Sequence, residues 1–182
     1  MKKFFEIISV IFGVSAYTYM VVSTIIGTGE GLSLTTFGLW AALAWITSFT
    51  MLKQGANPSI PMVYGTGSTL TALVLLFKGK YQWTMMDTAI AILVLICIVL
   101  WKTRGPKWAL ILSVVASVIA GIPFVVMTWN NPAVSPIIPN TGFLLANLFS
   151  FAVAKAWTLE DRLYTGTSII LCLFLVLPWL LS

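Results

Sequence analysis

The chain has 182 residues, 59% of them hydrophobic and only 8% charged, and its mean hydropathy is +1.01. That is too little charge to coat a water-soluble globule, so the composition excludes an ordinary soluble domain. Ten Lys and Arg against five Asp and Glu give a net charge of +5, and the basic residues are scattered through short connections, which fits loops at a membrane surface and argues against nucleic-acid binding.

The apolar residues fall in blocks of about twenty, the helix length that crosses roughly 30 Å of hydrocarbon. Seven spans are predicted, at about 4–27, 32–52, 61–77, 85–101, 108–129, 139–156 and 163–181. Backbone exposed to lipid must satisfy its own hydrogen bonds, so each span is expected to be a helix. Lys2 and Lys3 precede the first apolar run as they would in a signal peptide, but Glu6 interrupts it and no small-residue cleavage site follows. The run is therefore read as a retained first helix.

The first span carries Gly13, Tyr17 and Thr18. A polar turn with Glu30 opens the second, which holds Trp40, Trp45 and Ser48. The third contains YGTGSTLT, whose glycines permit close helix approach and whose Tyr64 and Ser68, four apart, share one face. The fifth contains Pro123, which removes a backbone hydrogen bond and makes this position the expected hinge. In the sixth, Asn147 sits mid-helix with two donors and an acceptor to place. The seventh follows Glu160, Asp161 and Arg162, expected to be a solvated loop cluster, and carries Tyr164 and Ser168 on one face. Trp83, Trp101, Trp108, Trp129, Trp157 and Trp179 fall near span ends, as an interfacial aromatic belt does.

Loop charge favours an N-terminus inside and a C-terminus outside. Lys2, Lys3, Lys53, Lys102, Arg104, Lys107, Lys155 and Arg162 then face the cytoplasm, and only Lys78 and Lys80 face outward. The expected location is the cytoplasmic membrane.

The second half of the chain echoes the first. An offset of 105 residues pairs Val10 with Val115, Tyr19 with Phe124, Thr36 with Thr141, Leu39 with Leu144 and Ala41 with Ala146. An offset of 100 in the last helix of each copy pairs Tyr64 with Tyr164 and Ser68 with Ser168. The fold class expected is all-α integral membrane, with seven transmembrane helices as two parallel three-helix bundles joined by a linker helix. The bundles cover 1–80 and 107–182, and the linker 81–106. An unpaired fourth helix between two three-helix copies lets both run in the same direction.

The segment GEGLSLTTFGLWAALAWITSF resembles the region after the first helix of PQ-loop proteins, the superfamily of the SWEET sugar transporters. PnuC vitamin transporters share that fold. IPFVVMTWNNPAVSPIIPNTGFLLANLFSF resembles the same region less closely. The Pro-Gln pair of that family would fall near Thr18-Tyr19 and at Pro123-Phe124, so only the second proline is kept. The resemblance implies a 3+1+3 architecture and a transporter that alternates access between its bundles.

Residue by residue, Tyr17, Trp40, Tyr64, Ser68, Asn147, Tyr164 and Ser168 are the candidates for lining a solute pathway. Their hydroxyls, amide and rings suit an uncharged polar solute, either a sugar or a vitamin-like compound. No carboxylate is expected mid-membrane, which favours facilitated diffusion over proton coupling. The chain has no histidine, and its two cysteines, Cys97 and Cys172, lie within spans as apolar fillers, so no metal or other cofactor and no enzymatic activity are expected. The expected partners are a small-molecule solute and the lipid bilayer, and self-association into a homo-oligomer is compatible with this reading. The alternative is a membrane-embedded receptor or assembly protein of the same fold, whose polar groups only pack helices.

Overall fold

A computed structural model describes residues 2–27, 32, 34–79, 85–132 and 136–181, without the side chains of Met86, Asp87 and Pro123. Glu30, Lys80 and Trp83 therefore lie outside the described residues, as does the side chain of the expected hinge, Pro123, whose backbone continues the fifth helix. Among the described residues there are seven helices: α1 (Lys2–Ile26), α2 (Leu34–Lys53), α3 (Ser59–Phe77), α4 (Met85–Arg104), α5 (Pro106–Asn130), α6 (Ile137–Val153) and α7 (Leu159–Leu181). No strand occurs among the described residues. Five of these helices, α1, α2, α3, α5 and α7, are long and apolar enough to cross a membrane. The apolar α6 has 17 residues and is shorter. Several such helices in one chain are the pattern of a multi-pass membrane protein.

The surface and the interior divide as they do in a protein dissolved in lipid. Ile7, Ile11, Val14, Val22 and Ile25 of α1 point outward, as do Ile92, Leu95, Ile96 and Val99 of α4. Thr47, Thr50, Thr71, Ser113, Thr128 and Asn147 are all fully buried. A water-soluble fold of this size would reverse that distribution.

Six helices close into a ring. α1 lies between α3 and α6, α2 between α3 and α5, and α7 between α5 and α6, while α4 packs from outside against α5 and α2. The starts of α1, α3, α5 and α7 gather at one end. There, Glu6 Oε1 accepts hydrogen bonds from Asn57 Nδ2 and Ser59 Oγ, each at 3.0 Å, and Lys107 pairs with Glu160 at 2.9 Å.

Small residues set how closely the ring closes. A Cβ added to Gly67 of α3 would stand 2.1 Å from Cγ of Tyr17, so the Tyr17 ring occupies the space a side chain would need. Gly65 lies equally bare beneath the ring of Trp45, whose atoms would be 3.0 Å from an added Cβ. On α6, Gly142 faces Ala16 of α1 at 3.0 Å by the same measure. The glycines of YGTGSTLT thus act as landing sites for two aromatic rings, one from each flanking helix.

The seventh helix starts four residues earlier than expected, at Leu159, and corrects the reading of Glu160, Asp161 and Arg162 as a solvated loop. Acidic residues suit the first turn of a helix, where free N–H groups and the helix dipole favour negative charge. Asp161 is buried there, and its two oxygens accept the backbone N–H of Asn57 at 3.0 Å and of Ala156 at 2.8 Å. Arg162 donates to Phe151 O at 2.9 Å and stacks 3.5 Å over the Trp157 ring.

The contact at Gly67 predicts that Gly67→Ala lowers stability by about 1–3 kcal/mol, the usual cost of overpacking. Gly38, with nothing within 4 Å of an added Cβ, is the control: Gly38→Ala should leave stability unchanged or raise it by up to about 1 kcal/mol. Thermal unfolding of the two variants in detergent checks both outcomes.

Candidate functional site

The ring centre is built from aromatic and polar side chains of four helices. Tyr17 comes from α1, Tyr64 and Ser68 from α3, Phe143 and Asn147 from α6, and Tyr164 from α7. The Tyr17 ring lies 4.7 Å from Phe143 and 5.6 Å from Tyr64, and Tyr64 lies 5.2 Å from Phe143 and 6.0 Å from Tyr164, centroid to centroid. All four pairs meet edge to face or tilted, the arrangement that ring quadrupoles favour. α3 and α6 are not neighbours around the ring, nor are α3 and α7. Tyr64 therefore reaches across the middle to touch both.

Hydrogen bonds fix these side chains. Tyr17 Oη and Ser68 Oγ are 2.8 Å apart. Asn147 Nδ2 donates to Tyr64 Oη at 2.5 Å and to Phe143 O at 2.8 Å. Tyr64 in turn donates its hydroxyl proton to Phe143 O at 3.3 Å. Both amide protons of Asn147 are thus engaged, whereas its Oδ1 is buried and accepts nothing among the described residues. An acceptor left so costs about 1–3 kcal/mol. The arrangement offers an incoming molecule one hydrogen-bond acceptor walled by aromatic rings.

Five of the seven candidates named from the sequence meet at this place: Tyr17, Tyr64, Ser68, Asn147 and Tyr164. Trp40 packs against the edge of the same cluster through Phe37, with ring centroids 5.5 Å apart. Ser168 does not join it. It sits half-buried on α7, one turn beyond Tyr164, and makes no hydrogen bond among the described residues. Trp45 packs on Gly65 and donates to Thr69 Oγ1 at 3.3 Å.

Phe143 was not singled out from the sequence, yet its ring and its carbonyl both belong to the centre. The available signal was position: it lies one turn before Asn147, and a mid-helix Asn bonds readily to the carbonyl four residues back. Ser9, which donates to Ala146 O at 2.7 Å, was missed because a serine among apolar residues is a common helix-packing residue.

A separate cavity of about 370 Å³ opens at the end of the ring where Asp161 lies, between Gln54, Gly55 and Ala56 on one side and Lys155, Ala156, Thr158 and Glu160 on the other. Lys155 Nζ bridges it by donating to Gly55 O at 3.1 Å. Among the described residues no group of three His, Cys, Asp or Glu side chains is placed to hold a metal ion. Cys97 and Cys172 are free and buried in the apolar clusters.

No protein-family model matches the chain, and neither a curated protein nor a solved structure matches it.

The hydrogen bonding separates two tyrosines of equal size. Tyr64→Phe removes the acceptor of Asn147 and a donor to Phe143 O, and should cost about 1–3 kcal/mol. The Tyr164 hydroxyl makes no hydrogen bond among the described residues, whereas the Tyr164 carbonyl, which Phe would keep, accepts from Thr167 at 3.0 Å, so Tyr164→Phe should stay within about 0.5 kcal/mol of wild type. Thermal unfolding in one detergent compares them directly.

Proposed function

We propose that the protein is a facilitative membrane transporter for a small uncharged polar solute, sugar-like or vitamin-like. Its seven helices act as spans, in two parallel three-helix bundles at 1–80 and 107–182 with a linker helix at 81–106, in the manner of PQ-loop and SWEET proteins. The observation that carries this reading is the buried Oδ1 of Asn147, unsatisfied at the centre of the ring. A solute hydroxyl or N–H would supply its missing donor. Tyr17, Tyr64, Tyr164 and Trp40 would flank the solute.

Three further observations support the reading. The packing order repeats: α3 lies between α1 and α2 as α7 lies between α5 and α6, which matches the repeat in the sequence. The helices of the two halves meet mainly along α1 with α6 and α2 with α5. Side-chain hydrogen bonds along those two seams include Ser9 to Ala146 O and Thr47 Oγ1 with Ser113 Oγ, 2.9 Å apart. A seam where small residues meet, as Gly142 on Ala16, suits two bodies that rock, and Pro123 in α5 would serve as a hinge. Finally, the described carboxylates Glu6, Glu160 and Asp161 all lie at the end of the ring, so a neutral solute would meet no described charge at the centre.

At that end the halves are clasped by Asp161 to Asn57 N and Lys155 to Gly55 O, contacts that must part for a pathway to open there.

Counterflow uptake into proteoliposomes with a panel of sugars, nucleosides and small vitamins tests the proposal. Wild type is expected to take up one solute class, and Asn147→Ala and Trp40→Ala to cut that uptake at least about tenfold, the factor carried by about 1.4 kcal/mol of binding. No uptake of any solute by folded protein would favour a receptor or assembly protein of this fold.

A further inference from the structure

We propose that the groove between α2 and α4 binds an anionic phospholipid. Its phosphate would be held by Lys53, Lys102 and Arg104, and its chains would lie along Trp101, Phe49 and Leu52. Positive charges at this end of the molecule differ in whether they are already engaged. At the end of the ring where α1, α3, α5 and α7 begin, Lys107 is paired with Glu160. Lys155 is bonded to Gly55 O, and Arg162 to Phe151 O, with its guanidinium over Trp157. Lys53, Lys102 and Arg104 have no ion pair among the described residues, and the one contact of Lys53 is the face of Trp101, 5.5 Å from its Nζ.

Lys53 is distant in the chain from Lys102 and Arg104, and the fold brings the two helix ends together. α2 ends at Lys53 and α4 ends at Arg104, and the two helices pack side by side. Trp101 and Arg104 are three residues apart and so share the helix face that turns toward Lys53. All three basic side chains are exposed.

Beneath them runs an aromatic ladder. Trp45 and Phe49 are 5.8 Å apart and stacked, and Phe49 and Trp101 are 6.5 Å apart and stacked. Phe49 and Leu52 are each 47% exposed, so the groove floor is apolar and open. From Trp45 to Lys53 the groove runs about 12 Å along α2, enough for the upper part of an acyl chain. A phosphate above and a hydrocarbon chain below complement this surface in charge and polarity. A juxtamembrane basic cluster of this kind recognises anionic headgroups.

The test needs no transported solute, so it stands or falls apart from the transport reading. The full-length protein in neutral detergent is titrated with phosphatidylglycerol, with phosphatidylcholine and with inorganic phosphate, and lipid adducts are counted by native mass spectrometry. Phosphatidylglycerol is expected to give a discrete adduct that phosphatidylcholine does not. The double variant Lys53→Gln, Arg104→Gln should weaken it about fivefold per charge removed. Lys53→Arg should retain it. Lys2→Gln with Lys3→Gln removes the same charge from the same end on α1 and should leave the adduct intact. Equal binding of both lipids by wild type, an equal loss in the Lys2, Lys3 variant, or full occupancy by inorganic phosphate alone would each overturn the proposal. The wild-type lipid preference decides even if the Lys53, Arg104 variant fails to fold.

Discussion

The Tyr17 ring sits on the bare backbone of Gly67, where any side chain would collide with it, and its hydroxyl meets Ser68 on the next residue. This contact sets the separation of α1 from α3. At that separation Tyr17 touches Tyr64 on one side and Phe143 on the other, so the position of α6 follows from it as well. Gly142 on Ala16 and Ser9 on Ala146 O then complete the approach of α6 to α1. Without hydrophobic driving force between helices in lipid, packing at small residues and interhelical hydrogen bonds carry the association. A larger residue at 67 would separate the helices that deliver the tyrosines, and the ring centre would lose its shape.

Polar groups inside the ring are satisfied in two different ways. Many hydroxyls turn back on their own helix: Ser48 to Ala44 O, Thr50 to Ile46 O, Thr69 to Gly65 O, Thr71 to Gly67 O and Thr167 to Leu163 O. Such bonds ask nothing of a neighbouring helix and let the helices slide. Of the bonds that cross between helices, Tyr17 with Ser68 and Asn147 with Tyr64 converge at the centre, while Ser9 to Ala146 O and Thr47 with Ser113 lie along the seams. There the network stops short, because Asn147 Oδ1 has no donor. Interior polar groups are as a rule satisfied, so this unmet acceptor marks out the ring centre.

Among the described residues charge is confined to the ends, but it is used unevenly. Asp161 is buried at the start of α7 because two backbone N–H groups need an acceptor there, and it ties the α2–α3 connection to the α6–α7 connection. Lys107, Lys155 and Arg162 are committed to partners within the same end. Lys53, Lys102 and Arg104 have no ion pair among the described residues and stand exposed at the ends of α2 and of α4, the helix outside the ring.

What the chain alone determines is local. Twenty consecutive apolar residues commit a segment to a helix in hydrocarbon whatever its neighbours are, so the expected spans and the observed helices agree to within a few residues, the late start assigned to α7 apart. Tyr64 and Asn147 were recognisable because a polar group inside such a segment must find a partner. Who that partner is was decided by the tertiary structure, since Tyr64 and Asn147 are 83 residues apart and Asn57 and Asp161 are 104 apart. Tyr164 and Ser168 show the limit: equal in sequence spacing to Tyr64 and Ser68, they part ways because Tyr64 and Ser68 have α1 and α6 within reach and Ser168 has no bonding partner. The physical reason is that hydropathy adds up along the chain, while a hydrogen bond depends on which helices the ring brings within 3 Å of one another.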